Sequence, residues 1–298
     1  MRLVVTGRDG QVATALALAG GRREIEVVRL GRPELDLERL ETLAPALQAT
    51  RPDVLVSAAA YTAVDQAESE PERAHQVNAL APARLAEVAA ELGAPILHLS
   101  TDYVFDGRKP SPYVEADATG PVTVYGVSKL AGEIAVAHAN FRHVILRTAW
   151  VYAPHGKNFV RTMLRLAETR DEVGVVGDQL GCPTSADDIA EGVLKIAAAL
   201  HAGQGEPGLY HMAGTGEASW AEFAAAIFEG SQRRGGPFAR VRVIATADYP
   251  KPAARPANSR LDCGRVQATF GVALPTWWDG LGRCLDSLAV EQGWRPPD

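Results

Sequence analysis

Short apolar runs that alternate with longer helical stretches constrain the fold of this chain more than any other feature. Ala- and Leu-rich stretches such as 72–92 and 125–139 are long enough for helices. The apolar runs between such stretches predict strands at residues 2–7, 26–30, 53–58, 95–100 and 144–150. Strands that alternate with helices form βαβ units, and continuous apolar runs suit strands that are buried on both faces. We therefore predict an α/β fold with a doubly wound parallel sheet.

The regular alternation weakens from about residue 155. Two segments, "GDQLGCPTS" and "YPKPAARPANSR", are polar, rich in Pro and Gly, and long enough to be binding loops. Predicted helices at 186–200, 220–230 and 277–288 are interleaved with them. We predict that residues 1–154 form the sheet domain, to which later segments return, and that residues 155–298 mainly form a smaller substrate-binding lobe.

Charge and hydrophobicity narrow the class of protein. The 298 residues carry a formal net charge of −6, which argues against non-specific binding to nucleic acid. No apolar run approaches the ~18 residues that a membrane helix needs, and the first residues show no basic-then-apolar export signal. Three scattered cysteines, Cys182, Cys263 and Cys284, lack metal-ligand spacing and suit a reducing compartment. We expect a cytoplasmic protein that binds neither nucleic acid nor a membrane.

A glycine turn follows the first predicted strand. In "TGRDGQVATAL", Gly7, Gly10 and Ala13 form a G-x-x-G-x-x-A pattern. Small residues there allow backbone N–H groups and the positive end of a helix to approach a pyrophosphate. A Gly-rich turn can also be a simple connection, but this one opens the first helix, as a dinucleotide site requires. We predict a Rossmann-type dinucleotide-binding domain with Gly7 and Gly10 at the pyrophosphate.

The residues after the second predicted strand bear on the choice of cofactor. An NAD site usually has an acidic residue ~20 positions beyond the turn, but "VVRLGRPELDL" has Arg29 and Arg32 there and no carboxylate before Glu34. A guanidinium suits the 2′-phosphate of NADPH. Arg29 fits a solvated surface charge better than a ligand, so Arg32 is the candidate. We favour NADPH over NADH.

A Ser-Thr-Asp sequence ends the fourth predicted strand, and a Tyr-x-x-x-Lys pair follows it. Ligands bind at the carboxyl ends of strands in such sheets, which places Thr101 and Asp102 at the site. Tyr125 and Lys129 lie one helical turn apart, and the ammonium is expected to lower the pKa of Tyr125 from ~10. Thr101 can hydrogen-bond a carbonyl oxygen to which Tyr125 transfers a proton as hydride arrives. Such Tyr–Lys spacings are common by chance, but this one accompanies a dinucleotide turn.

With these motifs, the chain resembles the extended short-chain dehydrogenase/reductases and, more narrowly, the dTDP-4-dehydrorhamnose reductase family. The resemblance covers almost the whole length. Its most specific blocks are "YTAVDQAE", "STDYVFDG", "VYGVSKLAGE" and "DQLGCPT". It implies NAD(P)H-dependent reduction of the 4-keto group of dTDP-4-dehydro-L-rhamnose to dTDP-L-rhamnose, in nucleotide-sugar biosynthesis. The partner is then a dTDP-linked 4-keto-6-deoxy sugar.

The resemblance also implies roles for individual residues. Tyr125 is the proton donor, Lys129 tunes it and binds the cofactor ribose, and Thr101 with Asp102 contacts the sugar. Trp150 matches a substrate contact, although a buried core indole is the alternative. Arg255 is a candidate contact for the nucleotide phosphate, and a solvated surface arginine is the alternative. The implied cofactor contacts are Gly10, Gln11 and Val12 at the pyrophosphate, Asp36 and Leu37 beside the adenine, and Ala60, Tyr61 and Thr62 after the third strand.

Two positions depart from the family pattern. The last glycine of the turn is Ala13 here, which the general fingerprint tolerates. Some members carry a glutamate two residues later that is proposed to share a divalent metal across a dimer, and this chain has Ala15. Asp187 and Asp188 remain, but carboxylates near a helix N-terminus have an ordinary electrostatic explanation. We predict no bound metal, and a monomer or a homodimer.

Two other functions stay open on sequence grounds. A sugar-nucleotide epimerase or dehydratase uses the same fold and recycles a tightly held NAD. A non-catalytic NADP-binding regulatory subunit of a methionine adenosyltransferase has the same general sequence character. Thr101, Tyr125 and Lys129 are all present, which favours a catalytic role.

Overall fold

The computed structural model describes residues 1–296. The strands are β1 (Arg2–Thr6), β2 (Glu26–Leu30), β3 (Val54–Ser57), β4 (Ile96–Thr101), β5 (His143–Thr148), β6 (Val151–Tyr152), β7 (Glu172–Val176), β8 (Leu180–Gly181), β9 (Thr184–Ser185), β10 (Gly208–His211), β11 (Ala218–Ser219), β12 (Arg240–Ile244) and β13 (Asn258–Ser259). The helices are α1 (Gln11–Gly21), α2 (Leu43–Thr50), α3 (Val64–Ala67), α4 (Pro71–His75), α5 (Ala81–Glu91), α6 (Val124–Ala139), α7 (Phe159–Ala167), α8 (Ala186–His201), α9 (Trp220–Gln232), α10 (Gly264–Phe270) and α11 (Trp277–Gln292). A π-helical turn, Gln76–Leu80, joins α4 to α5.

Six parallel strands form the central sheet, in the order β10-β5-β4-β3-β1-β2. The five predicted strands are all present, and the predicted fold class is confirmed. The strand order reverses between β1 and β3, so the carboxyl ends of these two strands open a crevice of the kind that binds ligands in doubly wound sheets. The sixth strand, β10, comes from the later part of the chain.

Helices cover both faces of the sheet because successive side chains of each strand point in opposite directions. Leu3 and Val5 of β1 belong to a core that α1 and α8 close. Val4, between them, belongs to the opposite core, which α2 and α5 close. Complete burial of such a side chain stabilises the fold by roughly 1.5–3 kcal/mol. The two cores hold the carboxyl ends of the strands at one rigid edge.

A further hydrophobic core lies among α7, α9 and α11. Phe223 and Trp277 are buried in it, and the parallel pair β7–β12 packs against α9. By contrast, β10 and α8, which come from the later part of the chain, pack with the central sheet. The predicted boundary at residue 154 stays a prediction. Within residues 1–296 no helix combines the length and the apolar character needed to cross a bilayer.

Candidate active site

The turn between β1 and α1 presents free backbone amides. Gly7 has a φ of +103°, which glycine adopts readily and other residues rarely do. Gly10 caps α1 without a side-chain hydrogen bond to its first amides, and a Cβ at Gly10 would meet nothing within 4 Å. Arg29 supports the turn by donating to the carbonyl of Arg8 at 2.7 Å. The amides at the start of α1 are therefore open to an anion.

Two cavities meet at this turn. The first has a volume of about 390 Å³ and the second about 450 Å³. Both are lined by Gly7, Gly10, Ala59 and Ala60. The predicted cofactor residues line one or both of them: Arg32, Asp36, Leu37 and Tyr61 the first, and Gln11, Val12, Thr62 and Lys129 the second. The structure thus brings together every predicted cofactor residue along one continuous edge of the sheet.

Three guanidinium groups line the first cavity. Arg8 forms an ion pair with Glu34 at 2.5 Å, and Arg73 forms one with Glu38 at 2.8 Å. Arg32 is exposed, and within residues 1–296 it forms no ion pair. The positive charge of Arg32 is therefore the one that remains available to an anionic group in this cavity.

Asn78 fixes the loop that follows β3. The backbone N–H of Tyr61 donates to Asn78 Oδ1 at 2.8 Å, and Asn78 Nδ2 donates to the Tyr61 carbonyl at 3.1 Å and to Ser128 Oγ at 2.9 Å. Asn78 is fully buried within the π-helical turn. Sequence reasoning missed it, although a polar amide within an otherwise apolar helical run is a usable signal. Asn78 ties the cofactor-side loop to the helix that carries Tyr125.

Tyr125 lies in the first turn of α6. Thr123 caps this helix by accepting a hydrogen bond from the Gly126 N–H at 3.0 Å, and the Tyr125 ring packs edge-to-face on Tyr103 at 5.5 Å. Burial raises the pKa of Tyr125 above its ordinary value, a hydrogen bond with Thr101 opposes the rise, and the Asp102 charge adds to it. The predicted lowering of this pKa is therefore wrong. Burial dominates, and the phenol is held in its protonated form.

Lys129 follows one turn later and points to the end of β4. Its Nζ donates to the Leu99 carbonyl at 2.7 Å and lies 3.2 Å from His98 Nε2. Burial lowers the pKa of Lys129 to about 8, and the Glu133 carboxylate opposes this shift. The ammonium thus interacts with the β4 backbone and with Glu133, and burial remains the largest influence on the pKa of Tyr125. At neutral pH Lys129 still carries its charge.

Thr101 and Asp102 lie at the carboxyl end of β4, as predicted. Thr101 Oγ1 donates to Asp102 Oδ1 at 3.0 Å. Asp102 Oδ2 is buried and has no hydrogen-bond partner within residues 1–296. Burial raises the pKa of Asp102 to about 6, although the hydroxyls of Ser259 and Thr101 act in the opposite direction. Ser259, more than 150 residues further along the chain, was not singled out from the sequence, although it lies in the polar late loop.

Ser100 lines the second cavity and also joins a buried ion pair. Arg147 on β5 binds Glu133 on α6 through two contacts, Nε to Oε1 at 2.9 Å and Nη2 to Oε2 at 2.7 Å. Ser100 Oγ donates to the same carboxylate at 2.5 Å. Glu133 is four residues beyond Lys129 and therefore on the same helix face. That spacing is the signal that would have identified it.

Two glycines allow α6 to lie close to its neighbours. A Cβ at Gly126 would lie 2.2 Å from the Tyr103 carbonyl oxygen, and one at Gly132 would lie 2.1 Å from the Asn78 carbonyl oxygen. Real Cβ atoms essentially never approach so closely. The position of Tyr125 and Lys129 over the strand ends therefore depends on both glycines.

A third cavity, of about 570 Å³, extends from Tyr103 towards the C-terminal segments. Trp150 lines it, has a φ of +49° and stacks on Trp220 with ring centroids 3.5 Å apart. A positive φ costs a non-glycine residue about 1–3 kcal/mol and often marks a functional site. Trp150 is half-buried, so it differs from a fully buried core indole. Arg255 lines the same cavity and forms an ion pair with Asp65 at 2.8 Å.

The acids discussed as metal ligands have a different environment here. Asp188 Oδ1 accepts a hydrogen bond from Arg283 Nη2 at 2.5 Å, and burial raises the pKa of Asp188. Ala15 is buried in α1. Across residues 1–296 no group of three or more His, Cys, Asp or Glu side chains is arranged to hold a metal ion.

Comparisons with known proteins agree with this geometry. The profile of the family described as the RmlD substrate binding domain matches residues 1–290. A dTDP-4-dehydrorhamnose reductase from Sinorhizobium fredii is 53% identical over 98% of this chain and 99% of its own. The crystal structure of a dTDP-4-dehydrorhamnose reductase from Clostridium acetobutylicum is 35% identical, with a TM-score of 0.90 over 97% of this chain and 99% of that one. The enzyme from Bacillus anthracis, solved in complex with NADP, is 33% identical, with a TM-score of 0.89 over 96% and 99%.

Proposed function

The chain belongs to the dTDP-4-dehydrorhamnose reductase family, and we propose that it reduces the 4-keto group of dTDP-4-dehydro-L-rhamnose to give dTDP-L-rhamnose. One observation carries the proposal. Tyr125 and Lys129 line the same cavity as the glycine turn, and Tyr103, in edge-to-face contact with Tyr125, lines the third cavity. A dinucleotide and a nucleotide sugar can therefore meet at Tyr125.

The site residues fit a nicotinamide dinucleotide. When bound, the cofactor supplies the hydride for the reduction. The open amides at Gly10 and Gln11 suit its pyrophosphate, and the charge of Arg32, which is unpaired among the described residues 1–296, suits a 2′-phosphate. Lys129 lines the second cavity, where it would bind the ribose. These features, and the NADP held by the Bacillus anthracis relative, support NADPH as the preferred cofactor, with NADH as the alternative.

Tyr125 acts as the general acid. Its raised pKa keeps the phenol protonated at neutral pH, so that the proton is available when the substrate oxygen gains negative charge. The Thr101 hydroxyl, which donates to Asp102 Oδ1 in the free protein, would turn its single proton to the same substrate oxygen. Lys129, with a pKa of about 8, is charged at neutral pH and stabilises the phenolate that forms on Tyr125. Asp102 Oδ2, which lacks a hydrogen-bond partner among residues 1–296, accepts a hydrogen bond from a sugar hydroxyl.

The third cavity would hold the nucleotide part of the substrate. Trp150 offers an indole face beside Tyr103, and Arg255 offers a cation for the diphosphate if it exchanges Asp65 for a phosphate oxygen. On this view residues 155–298 mainly form the substrate-binding lobe on the dinucleotide-binding domain of residues 1–154. We further propose that the protein acts in the cytoplasm as a monomer or a homodimer.

Tyr125→Phe tests the proposed function. The wild-type protein should oxidise NADPH when it is given dTDP-4-keto-6-deoxyglucose together with a 3,5-epimerase. The variant keeps the ring and its packing, so kcat should fall by roughly 10²–10⁴-fold while NADPH affinity is unchanged. Tyr210→Phe, which removes a buried hydroxyl bonded to the Glu206 carbonyl at 2.7 Å, is the matched control and should retain kcat.

Two results would contradict this function. A kcat near the wild-type value in Tyr125→Phe would mean that another group is the acid. Wild-type protein that binds NADPH tightly but reduces no 4-keto nucleotide sugar would point instead to a regulatory subunit.

A further inference from the structure

Thr148 lies at the reacting end of the second cavity. It is the last residue of β5 and the register partner of Thr101 on β4. Neighbouring residues in register point to the same face of a sheet, so the two hydroxyls lie side by side. Thr148 lines the cavity together with Tyr125 and Lys129. It was not among the residues that the sequence analysis selected.

The Thr148 side chain is buried, with 7% of its surface exposed, and its Oγ1 has no hydrogen-bond partner within residues 1–296. Other hydroxyls along this edge of the sheet are satisfied. Thr6 Oγ1 accepts from the Ala58 N–H at 3.0 Å, Ser57 Oγ lies 3.1 Å from His98 Nδ1, and Thr101 donates to Asp102. A buried hydroxyl without a partner costs roughly 1–3 kcal/mol. The unsatisfied Thr148 hydroxyl lies in the wall of a ligand cavity, which points to a ligand group that forms the missing hydrogen bond.

We infer that the Thr148 hydroxyl binds the carboxamide of the nicotinamide ring and so fixes the orientation of that ring against Tyr125. The inference rests on the proposed use of NAD(P)H. A carboxamide offers both an N–H donor and a carbonyl acceptor, and a threonine hydroxyl can pair with either. The pyrophosphate is assigned to the glycine turn and the ribose to Lys129, which leaves the nicotinamide as the part nearest Tyr125. Thr148 is thus a positioning residue for the cofactor.

Thr148→Val tests this assignment because valine has nearly the same shape and lacks the hydroxyl. Binding of NADPH and of 2′-phospho-ADP-ribose, which has no nicotinamide, is measured by calorimetric titration. The expected result is about 3- to 10-fold weaker binding of NADPH, the loss of one hydrogen bond, with unchanged binding of 2′-phospho-ADP-ribose. Thr148→Ser keeps the hydroxyl and should bind NADPH like the wild type.

Thermal unfolding without ligand gives a second, independent readout. Since the hydroxyl has no partner in the part of the chain that the structure describes, Thr148→Val should unfold at the same temperature as the wild type or higher. Thr6→Val is the matched control, and it should unfold at a lower temperature because Thr6 accepts hydrogen bonds from the N–H groups of Ala58 and Ala59.

Three outcomes for Thr148→Val would overturn the inference: equally weakened binding of NADPH and 2′-phospho-ADP-ribose, unchanged affinity for NADPH, or a lower unfolding temperature. A raised KM for the keto sugar with unchanged NADPH affinity would reassign the hydroxyl to the substrate and overturn it as well. Wild-type protein that binds NADPH but does not reduce the sugar would contradict the proposed reaction only. The binding comparison would still decide the role of Thr148.

Discussion

Asp102→Asn replaces the buried carboxyl beside Tyr125 with an amide that does not titrate. Burial raises the pKa of Asp102 from 3.8 to about 6 in the folded protein. Each pKa unit corresponds to about 1.4 kcal/mol, so the ionised carboxylate costs the folded state about 3 kcal/mol. The carboxylate is retained despite this cost because, in the proposed mechanism, its Oδ2 binds the sugar.

The sign of the pH dependence follows from proton binding. Between pH 4 and pH 6 the folded protein holds a proton on Asp102 that the unfolded chain has already lost. The contribution of Asp102 to the free energy of unfolding therefore falls as pH rises through this window, and the whole cost is present above it. Asp102→Asn lacks this titration. The stability difference, variant minus wild type, should increase by about 2 kcal/mol between pH 4 and pH 7.

Urea unfolding followed by tryptophan fluorescence measures this difference at several pH values. The change in the difference with pH is the informative quantity, because the new Asn Nδ2–H group adds a cost that does not depend on pH. Unchanged m-values are required, since a changed m would indicate a different unfolded or folded state. Asp171→Asn, the same exchange at an exposed position, is the control for replacing a carboxylate with an amide.

Parallel pH profiles for Asp102→Asn and the wild type would refute the reasoning. They would mean that Asp102 titrates alike in the folded and unfolded protein, and that its Oδ2 is hydrated or paired. Oδ2 would then need no sugar hydroxyl to satisfy it.

Three further predictions concern the cofactor and the charges around it. Since burial lowers the pKa of Lys129 from 10.5 to about 8, kcat should fall above about pH 8. For the same reason the free energy of unfolding of the free protein should rise between about pH 8 and pH 10.5, and Lys129→Met should abolish this rise in denaturation curves. Arg32→Ala should weaken NADPH by about 1–3 kcal/mol and NADH much less, and equal losses in titrations would remove Arg32 from the 2′-phosphate site. Turnover should survive exhaustive EDTA treatment because Arg283 already neutralises Asp188. A dimer that dissociates on chelation and re-forms with magnesium would contradict the prediction that no metal is bound.

Local sequence patterns predicted the sheet and the positions of the main site residues. The glycine turn, the end of β4 and the Tyr125–Lys129 spacing are all read from neighbouring residues, and the comparisons confirm the family that they indicated. The sixth strand, β10, was not predicted because its place beside β5 depends on a pairing of segments more than 60 residues apart.

The pKa shifts and the ion pairs of the site could not be predicted from neighbouring residues. The expected lowering of the Tyr125 pKa considered only the charge four residues away and omitted burial, which depends on segments distant in sequence. The partners of Lys129 on β4 come from about 30 residues away, and Asp65 reaches Arg255 across 190 residues. Such contacts follow from the assembled fold and leave no periodic signal in the chain.

The glycines of α6 have a consequence for engineering. Gly126 and Gly132 carry no reactive group, yet each allows a neighbouring carbonyl to approach where a methyl group would collide. A designer who grafts only Tyr125 and Lys129 onto another helix would transfer the functional groups without the close contacts to the Tyr103 and Asn78 carbonyls that position them. The helix would be held away from the turn after β4 and from the π-helical turn by roughly the breadth of a methyl group, and a displacement of that order can cost ~10²-fold in rate. The ten letters "VYGVSKLAGE" are therefore a transferable unit only as a whole.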